Sequence, residues 1–229
     1  MRRPLVIAHR GASTVEVENS LAAFRAAGRL GADGVELDVH ATIDGAIVVH
    51  HDPSIMGLPI AQARMEDLSR LRLSNGEPPP TLAQALDVLG PLEVFVEVKV
   101  LDPKWDQRLL ETLDRGPNPS GYAVHSFAYH VVRRLREQRP SLATGVLSEV
   151  VTRDPKRTLE DAKAKTLWQE RSTLNETLVQ AVHGLGARVI AWTVDNPSDM
   201  QRLVRWGVDA ICTNHPERGR RVVDASQAA

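Results

Sequence analysis

Residues 34–39 read Gly34-Val35-Glu36-Leu37-Asp38-Val39, and residues 94–99 read Val94-Phe95-Val96-Glu97-Val98-Lys99. Side chains alternate across an extended strand, so Val35, Leu37 and Val39 take one face of the first segment while Glu36 and Asp38 take the other. Val94, Val96 and Val98 oppose Glu97 and Lys99 in the same way. In a closed barrel the apolar face meets surrounding helices, and the ionisable groups point inward. Four such groups are thereby aimed into one interior, late in their strands, at the carboxyl-terminal end where barrel active sites form.

The same rhythm extends along the chain. Short apolar, β-branched runs at Leu5–His9, Gly34–Val39, Val94–Lys99, Gly121–Ser126, Ala143–Leu147, Lys165–Gln169, Arg188–Val194 and Ala210–Thr213 read as strands. Between them, helical spacing occupies Ser20–Leu30, Thr81–Leu89, Trp105–Leu113, Tyr129–Gln138, Leu174–Leu185 and Pro197–Trp206. A further helix is expected within Val151–Ala164, although Pro155 falls inside that segment. Eight strands alternating with helices predict an α/β protein of the (β/α)8 TIM-barrel class, formed by residues 1–229 as a single domain.

One region breaks the alternation. After the strand-like run Ala46–His51, residues 52–80 carry Pro53, Gly57, Pro59, Gly76 and the run Pro78-Pro79-Pro80. This composition predicts a short loop insertion in an early βα connection. The tail from Glu217 to Ala229 is polar or small, and is expected to fray.

The 229 residues are 42% apolar and 25% charged, with 28 basic and 29 acidic side chains. That is an ordinary globular composition without the basic excess needed to track a nucleic-acid backbone. Cys212 is the only cysteine, so no intrachain disulfide forms, and a reducing cytoplasm is the expected compartment. The apolar run Leu5–Ala8 ends at His9 and Arg10, too short for an export signal. No stretch approaches the roughly 18 uninterrupted apolar residues needed to cross a bilayer, so no integral membrane association is expected.

Burying Glu36, Asp38, Glu97 and Lys99 together requires pairing or a metal. Three carboxylates suit a hard divalent cation such as Mg²⁺ or Ca²⁺, whereas a salt-bridge cluster tying adjacent strands is the alternative. His9-Arg10-Gly11 ends the first strand and His51 ends the run Ala46–His51, so both imidazoles can reach the same mouth. Arg10 offers a guanidinium suited to phosphate, with Gly11 behind it permitting close backbone approach. Three carboxylates, a dication, Arg10 and Lys99 leave one net positive charge for a phosphodiester, whereas without the ion the cluster would repel that anion. Glu18-Asn19-Ser20 precedes a helix: Asn19 or Ser20 serves as N-cap, and Glu18 can orient a neighbouring group. Trp192, near the end of its strand, reads as core or as an aromatic wall. Of the remaining histidines, His125 beside Ser126 and Phe127 is the one placed to line the mouth, while Cys212 reads as buried and inert.

These segments, together with Gly31-Ala32-Asp33, Thr42-Ile43-Asp44-Gly45, Val48-Val49-His50-His51-Asp52, Ser126-Phe127 and Trp192-Thr193-Val194, resemble the glycerophosphodiester phosphodiesterases in order from about Ile7 to Pro216. The resemblance implies a (β/α)8 barrel that uses a divalent metal to hydrolyse glycerophosphodiesters to glycerol 3-phosphate and an alcohol. By position it implies His9 and His51 as the acid/base pair, Glu36, Asp38 and Glu97 as metal ligands, and Arg10 and Lys99 as phosphate binders. It also implies that a glycerol hydroxyl acts as nucleophile, giving a cyclic phosphate that water opens. Val17 stands where the family usually has proline. Pro53-Ser54-Ile55-Met56-Gly57-Leu58 replaces a common Asp-Arg-Thr-Thr stretch, which bears on the leaving-group side. The implied partner is a small-molecule glycerophosphodiester. A lysophospholipase-D-like activity, with an apolar groove near Ile55, Met56, Leu58 and Trp192, and a non-catalytic phosphate-ester-binding barrel are the alternatives.

Overall fold

The computed structural model describes residues 3–227. Its elements run, in chain order, β1 (Leu5–His9), α1 (Leu21–Arg29), β2 (Gly34–Ala41), β3 (Ile47–Val49), β4 (Ser54–Ile55), β5 (Leu58–Pro59), α2 (Met65–Ser69), α3 (Leu82–Leu89) and β6 (Glu93–Val98). There follow α4 (Asp106–Arg115), β7 (Tyr122–Ser126), α5 (Tyr129–Gln138), β8 (Ala143–Ser148), α6 (Pro155–Ala162), β9 (Thr166–Glu170), α7 (Glu176–Gly184), β10 (Arg188–Trp192), α8 (Pro197–Trp206), β11 (Ala210–Thr213) and α9 (Pro216–Gln227).

Eight parallel strands in the order β1-β2-β6-β7-β8-β9-β10-β11 close on themselves, because β1 pairs with both β2 and β11. The chain is therefore a (β/α)8 barrel. Apolar alternation builds two layers. Val35, Leu37, Val39, Val94, Val96 and Val98 face outward and pack against helix residues such as Phe24, Leu86 and Leu109. Ile7, Phe95, Leu147, Trp168, Ile190, Ala210 and Cys212 fill the interior. Removing this much apolar surface from water is the main stabilising term of the fold.

Residues 52–80 have structure of their own. β3 runs antiparallel to the end of β2, and β4 pairs with β5 in a small hairpin. Ile55, Ile60, Ala63 and Leu68 close over Val48 as a separate cluster. Pro155 stands in the first turn of α6, not in its interior: Asp154 caps the helix by accepting from the Arg157 amide. At that position proline lacks only an N–H that would have had no helical partner.

The expectation of a frayed tail is corrected. Residues 216–227 form α9, which buries Val222 and Val223. Gly219 brings this helix so close to β1 that an added Cβ would lie 2.9 Å from Val6 Cγ1. Two apolar residues on one helical face outweigh the polar composition around them. Residues 228–229 lie outside the described residues. No helix among the described residues is long and apolar enough to cross a membrane.

Candidate active site

Parallel register assembles the site. His9 is level with Glu36 across β1 and β2, Asp38 with Glu97 across β2 and β6, and Glu97 with His125 across β6 and β7. The alternation that sends valines outward turns all of these side chains into the barrel mouth. There a cavity of about 160 Å³ is lined by His9, Arg10, Glu36, His51, Glu97 and Lys99, with His125, Phe127, Trp168 and Trp192 among its walls.

The acids are buried: Glu36 is 3% exposed and Asp38 1%. Lys99 Nζ lies 2.8 Å from Asp38 Oδ1 and 2.7 Å from Glu97 Oε1. Arg10 Nε lies 3.2 Å from Asp38 Oδ2, and Asn19 Nδ2 donates to the same oxygen at 2.7 Å. Burial works to raise the Asp38 carboxyl, but the Lys99 and Arg10 charges outweigh it and hold it down to about 2. Glu97 is pushed up to about 7 by burial, only partly opposed by Lys99. Burial also pushes Glu36 well above the usual carboxylate range, helped by the neighbouring charges of Asp38 and Glu97.

The cluster thus carries more carboxylate than its cations satisfy. One donor atom each from Glu36, Glu97 and His125 lie within 4.8 Å of one another. This donor set fits a divalent cation in both charge and spacing. Asp38, expected beside Glu36 and Glu97, lies next to this trio and is engaged with Lys99, Arg10 and Asn19.

The loop after β1 is shaped around these acids. Arg10 and Asn19 both have left-handed backbones, with φ of 57° and 56°, a conformation that costs energy for residues with a Cβ and recurs at functional sites. The Asn19 amide donates to the Arg10 carbonyl at 2.9 Å, and the Arg10 amide donates to Glu36 Oε2 at 3.2 Å. Arg10 Nη1 donates to both oxygens of Glu18 at 2.9 and 3.1 Å. Ser20, not Asn19, caps α1, accepting from the Ala23 amide at 3.1 Å. Packing and backbone both require glycine at position 11: its φ is 83°, and a Cβ there would lie 2.8 Å from the Ala23 backbone.

The two histidines differ in environment. His9 Nδ1 meets Asn214 Oδ1 at 2.8 Å, and its Nε2 lies 3.9 Å from Glu36 Oε2. Burial, then the Arg10 charge, lowers its pKa against the opposing pull of Asn214 and Asp38. His51 is more exposed, and its Nδ1 pairs with Asp52 Oδ1 at 2.8 Å.

Asn214 and Asp195 carry no mark in the sequence that connects them to this mouth. Asp195 accepts from the Asn214 side-chain amide at 2.8 Å, the Asn214 backbone at 2.9 Å and the Thr213 hydroxyl at 2.9 Å. Trp192 meets Phe127 edge-on, with ring centroids 5.7 Å apart, so it walls the mouth. Cys212 is 1% exposed, and burial pushes its thiol well up, in keeping with an unreactive side chain.

Relatives share this architecture. The family model described as the glycerophosphoryl diester phosphodiesterase family matches residues 9–218. A relative from Caldanaerobacter subterraneus subsp. tengcongensis, named glycerophosphodiester phosphodiesterase, is 30% identical over 232 residues, covering 94% of this chain and 96% of its own. The crystal structure of a glycerophosphodiester phosphodiesterase from Parabacteroides distasonis superposes with a TM-score of 0.89 at 28% identity, covering 99% of both chains. A phosphodiesterase from Oleispira antarctica, solved in complex with the product sn-glycerol-3-phosphate, superposes with a TM-score of 0.90 at 25% identity, covering 96% of this chain and 97% of its own. With the barrel, the register of its acids and these likenesses in agreement, the chain belongs to the glycerophosphoryl diester phosphodiesterase family, whose members are phosphoric diester hydrolases.

Proposed function

We propose that this chain hydrolyses glycerophosphodiesters to glycerol 3-phosphate and an alcohol, with His9 as general base and His51 as proton donor. The observation that carries the reading is the single cavity that both imidazoles share with Arg10, Lys99 and the buried acids.

The assignment of base and acid follows from Asn214. A carboxylate only accepts hydrogen bonds, so the Asn214 Nδ2 faces Asp195 and its Oδ1 faces His9. Nδ1 of His9 must then carry the proton, which leaves the lone pair on Nε2. With its pKa lowered by burial and Arg10, His9 is neutral at neutral pH and can accept a proton. His51, held through Nδ1 by Asp52 and facing the same cavity, takes the remaining role of proton donor.

His9 Nε2 takes the proton of the glycerol hydroxyl adjacent to the phosphate ester as that oxygen attacks phosphorus. The bond from phosphorus to the departing alcohol breaks, and His51 protonates the alkoxide. Water then opens the cyclic phosphate, with the proton moves reversed. Arg10 and Lys99 neutralise the phosphate: the guanidinium has five N–H donors, more than Glu18 and Asp38 use. Glu36, Asp38 and Glu97 would hold a divalent cation, which when bound supplies further charge neutralisation and polarises a phosphoryl oxygen. Glu18 and Asn19 keep Arg10 and Asp38 in place, and Trp192 walls the substrate's carbon chain.

The test is release of glycerol 3-phosphate from glycerophosphocholine, glycerophosphoethanolamine and glycerophosphoinositol, with Mg²⁺, Mn²⁺, Ca²⁺ or a chelator. Product that requires a dication supports the reading. Tight binding of the diesters with no product under any ion rejects it in favour of a phosphate-ester-binding barrel.

A second reading, lysophospholipase-D-like activity, is favoured by one observation. Val100, Phe127, Val150 and Val151 are exposed on the loops that follow β6, β7 and β8, three adjacent strands at the mouth. Of the residues expected to form a groove, Ile55, Met56, Leu58 and Trp192, Trp192 walls the mouth and Met56 is exposed. Ile55 is only 3% exposed because it closes the small cluster under residues 52–80. Faster turnover of lysophosphatidylcholine than of glycerophosphocholine would establish the lipid substrate; the reverse ranking would remove it.

A further inference from the structure

Beside the carboxylates lies an imidazole that the acid–base scheme does not use. His125 is 1% exposed, and its Nδ1 has no hydrogen-bond partner among the described residues. Its Nε2 lies 3.9 Å from Glu36 Oε1. With Nδ1 unpartnered and Nε2 near Glu36, the ring has a nitrogen available to a cation.

The plane of this ring is set by stacking. Trp168 lies parallel to His125, with centroids 4.2 Å apart and planes at 7°. Phe95 meets the indole edge-on at 5.5 Å, and Gly145 leaves the space it needs: a Cβ there would lie 2.9 Å from Trp168 Cδ1. A ligating imidazole is ordinarily oriented by a hydrogen bond from its other nitrogen. Here the indole face takes over that task.

We propose that His125 adds a nitrogen donor to Glu36 and Glu97, making a mixed nitrogen–oxygen site that takes a first-row transition dication such as Mn²⁺, Co²⁺ or Zn²⁺ in preference to Mg²⁺ or Ca²⁺. The inference rests on the reading that Glu36 and Glu97 hold a dication, and it goes further by naming the class of ion. An all-oxygen cage suits Mg²⁺ and Ca²⁺, whereas an imidazole shifts selectivity toward the borderline metals. Trp168 is a positioning residue in this scheme.

The experiment needs no turnover. Pulsed electron paramagnetic resonance of the Mn²⁺-loaded protein is expected to show nitrogen coupling from a directly bound imidazole. His9 Nε2 is the other imidazole nitrogen within 4 Å of Glu36 among the described residues, so the coupling must survive in His9→Ala and disappear in His125→Gln. If His125→Gln does not fold, His9→Ala alone decides. Calorimetry adds a second readout: His125→Gln is expected to lower Co²⁺ affinity by about tenfold or more while changing Mg²⁺ affinity much less.

Absence of nitrogen coupling in the wild type, its loss in His9→Ala, or equal losses of Co²⁺ and Mg²⁺ affinity would overturn the proposal. Hydrolysis that depends on Mg²⁺ with no nitrogen coupling to Mn²⁺ would sink this inference and leave the hydrolase reading intact. Failure to bind any dication would sink the dication reading as well.

Discussion

The His9 ring and the Asn214 side chain, 205 residues apart in sequence, meet at 2.8 Å because barrel closure sets Ala8 level with Thr213. The residues that follow these partners then emerge side by side at the carboxyl-terminal rim. One hydrogen bond across the closing seam fixes which His9 nitrogen faces the cavity.

Replacing Asn214 with alanine should free the His9 ring and lower kcat by about 10²-fold, the order expected when a reacting group is misplaced by about 1 Å. KM should change much less, since Asn214 does not line the mouth, and circular dichroism should be unaltered. An unchanged kcat would remove Asn214 from the scheme.

The two histidines should separate by leaving group. Alanine at either position should cost about 10²–10⁴-fold on an alkyl diester. An aryl diester releasing p-nitrophenolate needs no protonation of its leaving group, so it should restore much of the rate to His51→Ala and little to His9→Ala. Equal rescue of both would reject the assignment of base and acid.

Acid should loosen the seam. Burial works to raise the Asp195 carboxyl, but the backbone and side-chain amides of Asn214, the Thr213 hydroxyl and the charge of His215 hold it below its ordinary value. Arg218, the other charged neighbour, donates to its carbonyl. A carboxyl whose pKa is depressed by folding contributes stability that is complete above its unfolded pKa and is lost as pH falls through the folded one. Below about pH 4 the wild type should therefore lose stability more steeply than Asp195→Asn, by about 1 kcal/mol or less for a half-exposed group. Urea unfolding of both proteins between about pH 6 and 3 measures this, and parallel curves would refute it.

Gly145→Ala should destabilise the barrel by about 1–3 kcal/mol. The added Cβ meets Trp168 at 2.9 Å, so the indole must shift out of its stack on His125 and its edge contact with Phe95. Gly184→Ala, with nothing within 4 Å of its added Cβ, should be neutral or stabilising. Urea midpoints that rank the two the other way would contradict the packing argument.

The strands, the barrel and the inward acids were legible because each follows from local rules. A period of two along β2 and β6 separates Glu36, Asp38 and Glu97 from their valines before any contact is known. The strand-end positions of His9 and Lys99 and the irregular composition of residues 52–80 are equally local. α9 was misread because Val222 and Val223 are two apolar residues in a polar tail, too few to show a helical period until β1 and α8 give them a surface to cover.

By itself, then, the chain's covalent order determined which faces are apolar, which carboxylates point inward and which end of the barrel carries the histidines. Tertiary structure alone decided that Asn214 would orient His9, that Trp168 would lie flat on His125, and that Lys99 would bridge Asp38 and Glu97. The physical reason is range: side-chain alternation is set within a few residues by backbone geometry, whereas pairings such as Asn19 with Asp38, 19 positions apart, and His9 with Asn214, 205 apart, exist only once the strands lock in register and β1 closes on β11.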